Sequence, residues 1–133
     1  MIAIRMGAHT ANAGRVYSPG GSLEPEDIID GRCDVARNIA REVQEETGIV
    51  LSDAIAEPGW HAIHMDSTVT VFRVFRLASA ADEIVARVAA HIASDPHPEV
   101  EEAVAIRSRD RTAHNYPECI PPILEWLFSR DGR

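Results

Sequence analysis

Residues 34–48 constrain this chain more than any other stretch: an apolar stripe at helical spacing ends at a glycine stop, and its last turns are loaded with acid. Val35, Ile39 and Val43 recur every fourth position, Ala36 and Ala40 widen the stripe, and Asp34 stands where an N-cap is wanted. Thr47-Gly48 closes the helix, Gly48 being suited to a left-handed cap. Glu42, Glu45 and Glu46 fall at i, i+3 and i+4 and so share one face. They lie at the negative end of the helix dipole, where cations are preferred. Glu42 and Glu46 add a like-charge i,i+4 pair that costs about 0.2–0.5 kcal/mol. A divalent cation held among the three would reverse the sign of each penalty. The plainer reading is a solvated acidic face. Against it, the glutamates border the apolar stripe, facing a groove beside the core, and Pro19-Gly20-Gly21 upstream forms a tight turn able to bring main-chain carbonyls close to a ligand.

The rest of the sequence sets bounds on class. A chain of 133 residues fits one domain with a genuine core. No apolar run is long enough to cross a bilayer and no leader pattern opens the chain, so no membrane partner is expected and the cytoplasm is the expected location. Cys33 and Cys119 lack metal-type spacing and are read as free thiols. A net charge of −8 argues against a broad nucleic-acid-binding surface but is compatible with a small phosphorylated substrate bridged by metal.

Strands interleave with helices, which predicts an α/β layered domain. Residues 1–6 read as a strand, and residues 7–14 as a Gly/Asn-containing loop. Residues 60–65 and 68–77 read as strands joined at Asp66-Ser67. The second of these, with Val69, Val71, Phe72 and Val74, looks like a central strand covered on two sides. Residues 79–82 resemble a capping box opening a second helix with Ile84, Val88 and Ile92 as its buried stripe. A short strand over residues 101–106 follows, and Pro121-Pro122 begins or interrupts a C-terminal helix.

Pro19-Gly20-Gly21 followed by Arg-Glu-Val-Gln-Glu-Glu-Thr-Gly-Ile at residues 41–49 resembles the Nudix box, G-x5-E-x7-R-E-U-x-E-E-x-G-U with U aliphatic. Every defined position of the second half is met. The resemblance implies an α/β/α sandwich with a mixed sheet over residues 1–133, and hydrolysis of a pyrophosphate bond in a nucleoside diphosphate linked to another moiety. It further implies Mg²⁺ or Mn²⁺ held by the box-helix glutamates. The first half departs: nineteen residues separate Gly21 from Arg41 where the pattern has thirteen. The surplus reads as a lengthened loop over roughly residues 26–33, leaving Asp27, Asp30 and Asp34 as alternatives for the carboxylate that orients Arg41. Little sheet-forming sequence precedes the glycine turn, which predicts a fold short of N-terminal strands and a homo-oligomer joined through an exposed sheet edge.

From these residues the chemistry follows as expectation. Glu42, Glu45 and Glu46 supply hard oxygen ligands, and the Gly20 carbonyl resembles the family's main-chain ligand. Glu45 and Arg41 belong to the catalytic set, Arg41 as the strut that fixes glutamate geometry. Glu99, Glu101 and Glu102, after the loop 95–98, are the positional candidates for a general base. Arg5 and Arg15, with Gly21, are candidates for substrate contact, and His61 and His64 read as structural. The reading from a different class is a Nudix-fold module that senses a nucleotide or serves in interactions without efficient turnover.

Overall fold

A computed structural model describes residues 1–130. Its centre is an antiparallel sheet in the order β2–β1–β9, from β1 (Ile2–Met6), β2 (Val16–Tyr17) and β9 (Val100–Ala105). Strand alternation sends the two faces of β1 to different helices. Ile4 and Met6 pack with Val100 and Ile92, whereas Ala3 joins the opposite cluster with Val16, Ile120, Ile123 and Leu124. The register is consistent with this, Ile4 facing Ala103 and Ala3 facing Val104. Between Arg5 and Met6 it slips, so that Glu101 is the extra residue of a bulge.

One face of the sheet is covered by α1 (Val35–Thr47) and α2 (Ala81–Ser94), whose Val43, Ile84 and Val88 meet Ile49 and Ala103. The other face is covered by α3 (Ile120–Arg130) through Ile123, Leu124 and Phe128. Pro121 and Pro122 occupy the first turn of α3, where their missing N–H groups cost nothing. In α2 the buried stripe is Ile84 and Val88 with Ile92 beside it, as the spacing predicts, but the N-cap is Ala80 and not Ser79. The Glu83 carboxylate reaches back to accept from the Ala80 N–H. Both cysteines are free.

The α/β class stands, with a different sheet from the one expected. Among the described residues every strand pairing is antiparallel, and three two-stranded sheets accompany the central one. These are β3 (Ile28–Ile29) with β4 (Arg32–Cys33), β5 (Ile55–Ala56) with β8 (Phe75–Arg76), and β6 (His61–Met65) with β7 (Thr68–Phe72). The segment expected as a central strand is thus corrected: it breaks after Phe72, and Val69 and Val71 are exposed. Only one face of that hairpin packs, through Ile63 and Phe72 against the α3 cluster and through His61 between Phe72 and Trp126. Glu57 pins the same region to α3, its carboxylate held by Arg76 and Arg130 at 2.6 Å each. Among the described residues no helix is long and apolar enough to cross a membrane.

Candidate metal centre at the tail of the first long helix

Helix α1 begins and ends as its sequence dictates. The Asp34 carboxylate accepts from the Arg37 N–H at 3.0 Å, and Gly48 closes the helix in the left-handed conformation at φ 73°. Its buried side departs from the expected stripe. Ala36 and Ala40 are exposed, because the chain between Gly21 and Asp34 covers Asn38 instead, which is buried.

Asn38 serves Asp27. Residues Pro25–Asp27 form one turn of 3-10 helix that delivers Asp27 into a fully buried position beside α1. Its carboxylate accepts from the Glu24 N–H at 2.8 Å, Asn38 Nδ2 at 2.9 Å and Arg41 Nη1 at 2.8 Å. The Glu24 amide foremost, with Asn38 and Arg41, holds the Asp27 carboxyl below the usual carboxylate range despite burial. Of the three aspartates that sequence left open, Asp27 is the one that orients Arg41. Arg41 also meets Glu26 and Glu42, each at 3.1 Å, and its guanidinium is locked in the charged state, first by Asp27 and then by Glu42.

The chain between Asp27 and α1 is a small hairpin, β3–β4, turning at Asp30-Gly31 with φ 50° and 76° as a two-residue primed turn requires. The Asp34 N–H donates to the Asp27 carbonyl at 2.7 Å, so residues 28–33 leave and return at one point.

The glycine turn lies against the acidic face. The Gly20 N–H donates to Glu46 Oε2 at 2.9 Å, and a Cβ on Gly21 would stand 2.7 Å from the Glu42 carboxylate. A side chain at position 21 would therefore push the Glu42 carboxylate from its present place. Glu42 and Glu46 are half-buried and Glu45 is exposed. Burial, with the charges of Glu42, Glu99 and Glu45, pushes the Glu46 carboxyl up to about 7, against the lowering effect of the Gly20 amide. Chemically, this donor set of carboxylates and a nearby main-chain turn suits a hard divalent cation. Geometrically, Glu42 is turned to Arg41 and Glu46 to Gly20, and among the described residues no three acidic, His or Cys groups form a closed ligand set.

The remaining candidates separate. The charge of Glu99 reaches both Glu46 and Tyr17. Glu102 is engaged by Arg5 at 2.9 Å, and Glu101 is exposed at the bulge. Arg5 is thereby committed to an ion pair, while Arg15 is exposed in the loop before β2 and, among the described residues, makes no salt bridge. His64 is exposed and His61 is packed among aromatic rings. A cleft of about 830 Å³ opens beside Tyr17, Gly20 and Gly21 and is lined further along by Phe72 and Trp126, large enough for a nucleotide-sized ligand. Sequence reasoning missed Asn38, Tyr17 and His91; the last meets the Glu45 carbonyl at 2.9 Å. None of the three stands in a local pattern that marks it. No protein-family model matches the chain, and no curated protein matches it.

Proposed function

We propose that this chain is a Nudix-type pyrophosphohydrolase acting on a nucleoside diphosphate linked to another moiety. One observation carries the reading. With the hairpin 28–33 set aside, Asp27 falls six positions after Gly21 and eight before Arg41, where the box has its first glutamate, and Asp27 is the residue that holds Arg41. The six surplus residues are then an excursion that begins and ends at one hydrogen bond, leaving the spacing of the working parts intact.

In this reading Glu42, Glu45 and Glu46, with the Gly20 carbonyl, would hold Mg²⁺ or Mn²⁺. Bound cations neutralise the diphosphate and lower the pKa of the attacking water. The protein's own contribution is orientation. Arg41, braced by Asp27, fixes Glu42, and the Gly20 amide keeps the Glu46 carboxylate against the turn. Glu99 is the base candidate best supported, because its charge reaches Glu46 while Glu102 is engaged elsewhere. The cleft beside Gly20 and Gly21 accommodates the nucleoside portion. Exposed Val69 and Val71 on the isolated hairpin support the further proposal that the chain self-associates there.

The unclosed ligand set favours a second reading, a nucleotide-sensing module with the same fold and slow turnover. Incubation with ADP-ribose, dinucleoside polyphosphates, coenzyme A and oxidised nucleotides in the presence of Mg²⁺ or Mn²⁺ separates the two. The hydrolase reading expects mononucleotide release from one of these classes, abolished by Glu45→Gln or Glu46→Gln with the fold retained. Binding without product supports the sensor, and turnover unchanged in both variants contradicts the metal assignment.

A further inference from the structure

The last turn of α1, which carries Glu45 and Glu46, leaves its terminal carbonyls without helical partners, and that of Glu45 is among them. The Glu45 carbonyl should accept from the N–H of Ile49, but that N–H donates to Thr47 Oγ1 at 3.2 Å, and the Gly48 N–H goes to Gln44. His91, on α2, meets the orphaned carbonyl with its Nε2 at 2.9 Å. A carbonyl only accepts, so Nε2 carries the proton in this contact. The ring also lies against Gly48, where a Cβ would stand 2.8 Å from Nδ1. The left-handed glycine thus both ends the helix and makes room for the imidazole. The neighbouring α2 residues Val88 and Ile92 pack in the cluster that holds Val43 and Ile49, which gives the ring a rigid seat.

We propose that His91 is a positioning residue: it captures the Glu45 carbonyl and fixes the terminal turn, and with it the spacing of the Glu45 and Glu46 carboxylates. The consequence for metal rests on the hydrolase reading; the hold on the turn does not. His91→Ala and His91→Phe remove the donor, Phe keeping the ring packing should Ala fail to fold, and His91→Gln restores an N–H at similar reach. Two readouts are taken on the full chain: amide exchange at Gly48 by NMR, and Mn²⁺ affinity by electron paramagnetic resonance. Loss of the donor is expected to speed exchange at Gly48 roughly three- to tenfold and to weaken Mn²⁺ about tenfold, with Gln returning both toward the wild type. Rescue by Gln marks the hydrogen bond, since loss of packing alone would not be restored. Exchange and affinity unchanged in the folded donor-less variants would overturn the proposal, as would losses that Gln does not restore. A wild type that binds no Mn²⁺ would remove the hydrolase reading, and exchange at Gly48 would still decide whether His91 holds the turn.

Discussion

At the scale of single residues the site depends on Asp27, a sealed carboxylate held by Glu24 before it and by Asn38 and Arg41 on α1. Asp27→Asn keeps the shape but sets an amide NH₂ against a guanidinium, donor to donor, and removes the buried anionic partner of Arg41. It is expected to lower the melting temperature by about 10 °C; melting by circular dichroism checks it, and a shift under about 2 °C would show that the strut carries no weight. Which residues were legible follows from range. The glutamate triad, the Asp34 cap and Gly48 are local features, fixed by helical spacing and backbone handedness. Asp27 was legible only as one of three, since choosing it requires the path of the chain between Gly21 and Asp34. Asn38 and His91 could not be read at all, because their roles are set by partners distant in sequence.

Among the elements, the bounds and caps of helix α1 were legible though not the whole of its buried side, and the hairpin after Asp27 was not, although its signal was present. Asp30-Gly31 is the dipeptide a two-residue primed turn demands, and Ile28-Ile29 and Arg32-Cys33 flank it symmetrically. At two residues a strand, it offers no periodicity to detect and reads as loop. Because the Asp34 N–H already meets the Asp27 carbonyl, excision of residues 28–33 is expected to leave a folded protein melting within a few degrees of the parent, measured by the same thermal scan. An unfolded product would show that the hairpin is integral and that the excursion reading of the box is wrong. The segment 68–77 failed for the opposite reason. Its apolar residues suggested cover on both faces, but burial depends on what the rest of the chain brings, and Val69 and Val71 stay exposed.

For the molecule as a whole, three layers build around one short antiparallel sheet, with a cleft between the glycine turn and the aromatic hairpin. The mixed α/β class was legible because helical and strand periods alternate along the chain; the sheet's division was not, since hydrogen-bond pairing between remote strands leaves no local mark. The separate hairpin, whose outer edges pair with no strand among the described residues and whose outer face carries valines, favours self-association. Light scattering across a concentration series is expected to show growth beyond the monomer mass, reduced by Val69→Lys; a constant monomer mass would contradict it. The deepest claim is that the crowded carboxylates at the tail of α1 grip a divalent cation. Because the Glu46 carboxyl is raised to about 7, protons compete with metal at that site, and affinity must rise as pH climbs through neutrality. Manganese titration followed by electron paramagnetic resonance at pH 6 and pH 8 (about one unit either side) tests this. The account predicts tighter binding at the higher pH and loss of the bound signal in Glu46→Gln; equal or absent binding in wild type and variant at both pH values would contradict it.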